Sequence, residues 1–433
     1  MTNILSKEKY MKKVGVAILG LGVVGGGTCQ ILMERRERIK EEYGVDCEVV
    51  AVLDLNKQRV LDLGLDLSIL AGSMDEIALN PKVDIVVECM GGLEPAKTFL
   101  LKALEAGKSI VTSNKEMFCK SWPELEKVAA KTGAGLYYEA TTGGGMPIIR
   151  TMTQAMQANN ILEIKAIING TTNYILSKMT QEGADYADVL KDAQALGYAE
   201  ANPVADVEGY DSSYKLSILS SLAFNKRLPV ELIYREGMTK ITAEDIAIGK
   251  RLGYVVKLLA IAKQKNGKIE ARVHPVFLSK KHPLANVNDA FNAVFVVGDA
   301  VGDIMLYGRG AGALPTGSAI VSDIVFCARQ EVHARYSEMN NNMTKDDIIA
   351  DFESEYYLRL NVRDVPGVLA EIAGVFTKHG VSISQMRQDQ HDEIIPLVFV
   401  THKTHENAMK QAIQAISTLK NVVSVENLIR VEK

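Results

Sequence analysis

The sequence predicts an α/β protein: a Rossmann-type doubly wound parallel sheet over 1–140, a second α+β domain over 141–330, a linker at 331–354 and a ferredoxin-like domain over 355–433. Three observations predict it. Short β-branched runs alternate with helix-compatible stretches up to about residue 140, the pattern of a parallel sheet. A glycine-rich turn follows the first of those runs. The last eighty or so residues spell strand, helix, strand, strand, helix, strand.

In the first domain, Val14–Leu19 (VGVAIL) reads as a buried strand, and the segment ending ILMERRERIKEEY reads as a helix. A second run, Val49–Leu53, ends at Asp54; further runs lie at Val83–Cys89 and Ser109–Thr112. In the second domain Ile161–Asn169 alternates as a half-buried strand, Tyr214–Phe224 has helical spacing, and His274–Gly298 reads as strands joined by turns. The polar tract Ser337–Asp347 reads as linker. Beyond it come strands at Tyr357–Val362, Val381–Asp389, Glu393–Thr401 and Val422–Val431, with helices at Pro366–His379 and His405–Leu419.

Composition narrows the function classes. The 433 residues are 47% hydrophobic and 24% charged, enough for more than one core without disulfides. A net charge of -4 supplies no basic excess, so nucleic acid is not an expected partner. Cys29, Cys47, Cys89, Cys119 and Cys327 never form a CxxC pair, which argues against a disulfide framework or thiolate metal site. The start is polar and no long apolar run appears, so neither signal peptide nor membrane span is expected, and the expected compartment is the cytoplasm. All seven histidines lie beyond residue 270. Chemistry in the first 270 residues must therefore move protons with Lys, Asp, Glu, Tyr or Cys.

Gly20, Gly22 and Gly25 fit G-x-G-x-x-G between a strand and a helix. The first glycine makes the tight turn, the second admits the pyrophosphate to the backbone, and the third lets helix pack on strand. The helix N-terminus then faces the phosphates. Asp54 is placed to hold a ribose hydroxyl, or else to shape the turn. Lys57 and Arg59 follow and are candidates for a 2′-phosphate, so NAD and NADP both stay open.

Two stretches carry more specific information: Asn169-Gly-Thr-Thr-Asn-Tyr-Ile-Leu-Ser-Lys-Met179, and Gly197 to Leu216 with its DVEGYDSSYKL segment. Asp211 and Lys215, four apart, project from one face if Asp211 opens a helix. On spacing alone a helix cap with a solvated ion pair is the better reading of that pair. Together with Thr112-Ser-Asn-Lys115, Glu139-Ala-Thr-Thr-Gly-Gly-Gly-Met-Pro147, His274-Pro-Val-Phe-Leu and Tyr307-Gly-Arg-Gly-Ala-Gly-Ala-Leu-Pro-Thr316, these segments resemble the homoserine dehydrogenase family over residues 13–330.

The resemblance implies hydride transfer between L-homoserine and L-aspartate 4-semialdehyde with NAD or NADP, in threonine and methionine biosynthesis. It implies that Lys215 is the general acid/base, that Lys115 lies near the nicotinamide and the reacting oxygen, and that Glu200, Asp206 and Asp211 hold the substrate, chiefly its ammonium. Gly197 and Gly312 match glycines lining the cofactor, and Val23, Val24, Met90, Gly91, Ser113 and Glu200 complete the expected cofactor contacts. Glu139, Thr142, Gly144 and Met146 match a loop that holds a structural sodium ion, mostly through backbone carbonyls. The second domain then serves catalysis and dimerisation, in a homo-oligomer of two or four chains. The chain departs from the family at Glu200-Ala-Asn-Pro203, where Glu-Pro-Asp-Pro is usual, and at Thr141-Thr142, where Ser-Val is common. Leu53 stands where many NADP-using members carry Arg, which favours NAD.

The chemistry itself asks for a lysine whose pKa is lowered by burial or by a second ammonium. Lys115 and Lys215 are therefore expected to converge on the substrate oxygen, with Glu200 and Asp211 offsetting their charge. Two other functions compete. An aspartate-semialdehyde dehydrogenase needs a cysteine beside a base. A nicotinamide- and amino-acid-sensing protein binds without turnover.

Residues from about 355 resemble an ACT domain, carried by Val362-Arg-Asp-Val-Pro-Gly-Val-Leu-Ala-Glu-Ile-Ala-Gly-Val-Phe376 and His379-Gly-Val-Ser-Ile383. Pro366 and Gly367 open a helix whose apolar face (Leu369, Ile372, Phe376) covers a sheet. The resemblance implies an amino-acid site near Asp364–Gly367 and feedback by L-threonine; a purely structural dimerisation lobe is the alternative. On this reading, deletion after about residue 350 removes inhibition and spares catalysis.

Overall fold

The computed structural model describes residues 11–333, 342–388 and 392–433. The polar N-terminal start up to Tyr10, the Ser337–Asn341 part of the linker tract and the expected strand end at Asp389 lie outside them. The chain forms two compact units. The first runs to Ile161 and regains the chain at Tyr214–Val230 and Val296–Met343; the second comprises Leu162–Ser213, Glu231–Phe295 and Thr344–Lys433.

The first unit holds strands β1 (Lys12–Leu19), β2 (Val45–Leu53), β3 (Ile85–Glu88), β4 (Ser109–Thr112) and β5 (Leu136–Tyr137). All pairings are parallel, in the order β2-β1-β3-β4-β5. Order therefore reverses between β1 and β3, and a crevice opens beyond the strands' carboxyl ends at such a point. Alternate residues Val14, Val16 and Ile18 of β1 share one core with Cys29 and Leu32 of helix Val23–Tyr43 and Ile320 and Ile324 of helix Ala313–Arg329. The two helices touch at glycines. A Cβ on Gly27 would sit 2.5 Å from the Ala313 carbonyl oxygen, and one on Gly317 would sit 2.9 Å from the Gly27 carbonyl carbon. Helix Lys115–Thr132 starts at Asn114, whose side chain accepts the Met117 amide, and stops at left-handed Gly133.

The second unit is organised by β6 (Ile161–Ile167), the short β7 (Tyr234–Arg235), β8 (Tyr254–Lys265), β9 (Lys268–Ser279) and β10 (Phe291–Gly298). Strand β11 (Gly302–Arg309) belongs to the first unit and precedes helix Ala313–Arg329. β8 and β9 pair along their whole length around Asn266-Gly267, both at positive φ, the hairpin turn that matches strand twist.

The C-terminal segment forms β12 (Glu353–Arg363), helix Val368–Lys378, β13 (Ile383–Gln388), β14 (Ile394–Thr401), the short β15 (Thr404–His405), helix Glu406–Ile416 and β16 (Val422–Glu432). This is the expected βαββαβ module, with Ile372, Phe376, Met409 and Ile416 packed on Leu358, Leu360 and Phe399. Its sheet does not end at the module. β16 pairs in parallel with β9, Arg430 opposite Val276 and Glu432 opposite Leu278. One sheet thus runs β10-β6-β8-β9-β16-β12-β14-β13. The far end of the linker tract is tied in as well, since the Ile349 amide donates to the Ile269 carbonyl.

Candidate functional site

The glycine turn sits where β1 meets its helix. Gly20 has φ +86, and a Cβ on Gly25 would lie 1.9 Å from the Gly20 carbonyl oxygen, so only glycine permits this approach. Gly22 caps helix Val23–Tyr43. Val23 is exposed in its first turn, whereas Val24 packs against the core. Gly20, Gly22, Asp54, Met90 and Gly91 line one cavity of about 700 Å³ with Arg59, Ser73, Asp75, Phe99 and Lys102. The Asp54 carboxylate accepts the Leu21 amide at 2.6 Å and the Asn56 amide at 2.7 Å, and Arg59 stands 3.4 Å away. Burial would raise this carboxyl, but the two amides and Arg59 outweigh it and hold it below the ordinary value. Asp54 therefore shapes the turn and also faces the cavity.

The sequence reasoning passed over Glu88, which organises the opposite wall. Fully buried, it accepts the Met90 and Gly91 amides at 2.8 and 3.1 Å and the Thr112 hydroxyl at 2.6 Å. Asn114 adds a bond to the Gly92 carbonyl. Met90 and Gly91 are thereby fixed at the end of β3, and the Ser113 amide after β4 donates to the Glu88 carbonyl at 3.4 Å. An acidic residue closing a buried apolar run was the available signal. Gly312, at φ +119, opens helix Ala313–Arg329 beside Gly27.

Lys115 is the first residue of its helix. Lys215 is 8% exposed in helix Tyr210–Phe224, one turn beyond Asp211. The neighbours of the two lysines meet: the Tyr214 hydroxyl donates to Glu116 at 3.2 Å, and the Cys119 thiol donates to the Tyr214 carbonyl at 3.2 Å. Lys120 also binds Glu116, at 2.6 Å.

In the second unit one amide gathers two of the expected carboxylates. Asn169 Nδ2 donates to Asp206 Oδ1 at 2.7 Å and to Asp211 Oδ2 at 2.9 Å, while its Oδ1 caps the helix at Thr172. Asp211 is buried and Asp206 half-buried. The sequence alone assigns Asn169 no role beyond opening the Asn169–Met179 stretch. Glu200 is exposed on the loop after left-handed Gly197, with its carbonyl held by Gln194.

Glu139 is buried, accepts the Ile149 and Arg150 amides at 2.8 Å each, and donates its own amide to Asp323. Burial and then Asp323 push its carboxyl up to about 7. Among the described residues the buried Thr142 hydroxyl has no hydrogen-bond partner. Gly144 is left-handed with its backbone against Gly310, and Met146 turns back on Gly143. Burial lifts the thiols of Cys29 and Cys47 to about 11 and that of Cys327 to about 12, so none of these is a nucleophile at neutral pH. Among the described residues no helix is long and apolar enough to cross a membrane, and no three His, Cys, Asp or Glu side chains cluster as metal ligands.

A parallel sheet with this glycine turn at its switch point is the framework of a dinucleotide-dependent oxidoreductase. Residues 20–139 match the homoserine dehydrogenase NAD binding domain, 147–325 match homoserine dehydrogenase, and 356–421 match the ACT domain. The homoserine dehydrogenase of Mycobacterium tuberculosis is 40% identical over 97% of this chain and 98% of its own length. That of Bacillus subtilis is 38% identical, over 98% and 99%. Among solved structures, a homoserine dehydrogenase from Thiobacillus denitrificans superposes with a TM-score of 0.91 at 39% identity, covering 98% of this chain and 99% of that one. A hyperthermophilic archaeal homoserine dehydrogenase in complex with NADPH gives 0.62 at 28% identity, covering 73% of this chain and 97% of that one. The chain belongs to the homoserine dehydrogenase family, NAD(P)-dependent oxidoreductases that interconvert L-homoserine and L-aspartate 4-semialdehyde.

Proposed function

We propose that Lys215 is the general acid/base of this reaction and Lys115 its partner at the reacting oxygen. The observation that carries the assignment is the contact of Glu116 and Cys119 with Tyr214, which sets the two lysine-bearing segments side by side. A nicotinamide cofactor held beside Gly20 and Gly22 would supply the hydride exchange at the alcohol carbon. The protein must then move a proton and place charge. In the reducing direction Lys215 gives its proton to the developing alkoxide, and Lys115 supplies positive charge to the same oxygen. Asp211, Asp206 and Glu200 bind the substrate ammonium; the shared Asn169 amide supports this role for the first two, because it fixes their spacing before substrate arrives.

The cofactor fits the cavity under Gly20 and Gly22, with Asp54 for the ribose and Arg59 beside it for a 2′-phosphate. The archaeal relative's NADPH supports use of NADP, and Leu53 supports NAD. A sodium ion held by Glu139, Thr142, Gly144 and Met146 is supported by the buried Thr142 hydroxyl, which has no partner among the described residues and is an oxygen donor of the kind hard cations take. The ACT match supports an amino-acid effector, L-threonine, acting near Asp364–Gly367. Five free cysteines support a reducing compartment, the cytoplasm, where the chain works as a homo-oligomer.

Lys215→Ala tests the central assignment by NAD(P)H absorbance with L-homoserine. The expected result is a kcat lowered by about 1000-fold or more with nucleotide affinity unchanged. A near-normal kcat would falsify the role.

A further inference from the structure

Asp206 and Asp211 flank a short segment, and that segment is gripped from one side by strand β7 and the turn after it. The Arg235 guanidinium donates to the Glu208 carbonyl at 2.6 Å and lies 3.5 Å over the Tyr210 ring. The Met238 amide donates to the Val207 carbonyl at 2.9 Å. Left-handed Gly209 packs closely, since a Cβ there would lie 3.1 Å from Val273, and a Cβ on Gly237 would displace the Glu208 carboxylate at 2.4 Å. Arg235 and Met238 thus hold the backbone between the two carboxylates at Val207, Glu208 and Tyr210.

The strand that carries Arg235 is in turn held from the C-terminal module on either side of it. Successive side chains of a strand point to opposite faces. Arg235 points at Glu208, while its neighbours Tyr234 and Glu236 are both bound by Arg430 of β16, at 2.7 and 2.8 Å. Arg430 is almost fully buried and is anchored in the module by the Glu406 carboxylate, which also accepts the Tyr356 hydroxyl. The backbone follows the same line, with Tyr234 and Arg235 paired to Arg272 and Val273 of β9, and β9 paired to β16.

We infer that Arg235 is a positioning residue that sets the Asp206–Asp211 segment, and that Arg430 links its placement to the C-terminal module. The inference rests on the proposed ammonium-binding role of those carboxylates. Its test is a steady-state comparison of Arg235→Met, Arg235→Lys, Tyr210→Ala, Glu236→Gln and Asp211→Asn, with KM measured for L-homoserine and for the nucleotide. Arg235→Met should raise the homoserine KM about tenfold and change the nucleotide KM by less than about twofold, with part of the loss recovered in Arg235→Lys. A merely structural arginine would lower the yield of active protein and leave the KM of what remains unchanged; that result overturns the inference. If Arg235→Met does not fold, Tyr210→Ala decides, because it removes only the stacking partner from an exposed position: about a threefold rise supports the role and no rise overturns it. Glu236→Gln tests the link to the module, with a similar rise expected and an unmoved KM removing the Arg430 connection. Asp211→Asn separates this from the underlying reading. A homoserine KM unmoved there removes the substrate role of the carboxylates, whereas a KM moved by Asp211→Asn but not by Arg235→Met removes Arg235 alone.

Discussion

The two units bury different things. In the first, the core between sheet and helices is apolar, built from Val14, Val16, Ile18, Leu32, Ile320 and Ile324, and the cavity beside the glycine turn is lined from loops at the strand ends. In the second, the seam where the module's sheet continues into β9 is built from charge. Arg272, 1% exposed, binds Glu270, Glu432 and His274. Glu432 also takes Lys165 and Lys263. Arg359 binds Asp245, which accepts Tyr357, Asn427 and Thr242 as well. An apolar core tolerates change at the loops it supports. A buried charge network tolerates little, because removing one member strands its partner in a medium that cannot solvate it.

The largest expected effect follows from deleting the chain after residue 350. The module's own sequence suggests a detachable regulator, but β16 is a hydrogen-bonded neighbour of β9, and Arg272, Lys165 and Lys263 all use Glu432. Loss of soluble, active enzyme is expected, not a fully active enzyme freed from inhibition; normal turnover in the truncated protein would show the seam to be dispensable. Glu432→Leu is a smaller cut into the same seam. It leaves Arg272 with Glu270 and His274 as polar partners and Phe352 beneath its guanidinium, with an expected cost of about 3–5 kcal/mol in urea unfolding. Adding Arg272→Met should recover part of that loss, and strict additivity of the two would mean the pair is not coupled.

Much of this was legible in the sequence. Glycine spacing marked the nucleotide turn, β-branched runs marked the parallel sheet, and Pro366-Gly367 with alternating strands marked the last module. Those signals are local: each depends on a turn, a face or a period within a dozen residues. The seam left no local signal. In ARVHPVF and LIRVEK, Arg272, His274, Arg430 and Glu432 occupy the polar positions of an alternating strand. Alternation distinguishes the faces of a strand but does not say whether the polar face meets water or another buried charge. Asn169 and Glu88 were hidden for the same reason, since a polar residue that satisfies distant groups looks like any cap or strand end until those groups are brought to it.

Acid should separate the two regions. Burial alone would raise Glu432, but Arg272, Lys263 and Lys165 outweigh it and hold its carboxyl far below the ordinary range. Asp245 and Glu406 are likewise raised by burial and lowered more strongly by their hydrogen bonds, chiefly from Arg359 and Arg430. A carboxyl depressed in the folded state adds stability that is fully present above its unfolded pKa, about 4, and is lost as pH falls below that value. The seam should therefore open on acidification before the apolar core of the first unit does. Hydrogen exchange at β9 and β16 against β1, followed from pH 7 to pH 3, checks the order; simultaneous loss would show that the difference in burial has no bearing on stability.

The smallest effect concerns the loop side of the comparison, where change should alter binding and leave the fold intact. Asp54 spends one oxygen on the Asn56 amide and the other on the Leu21 amide, so its placement does not depend on Arg59. Arg59 is half exposed, 3.4 Å from that carboxylate and on the cavity wall. A 2′-phosphate brought beside Asp54 adds negative charge to negative charge and needs Arg59 to offset it, whereas a 2′-hydroxyl needs only the carboxylate. Arg59→Ala should raise the KM for NADP by about tenfold, change that for NAD by less than about threefold, and leave the unfolding midpoint unmoved. Equal rises for both nucleotides would mean that Arg59 supports Asp54 and does not meet the phosphate. A fall in the midpoint would mean that the loops of the first unit are as tightly bound to its stability as the charged seam is to that of the second.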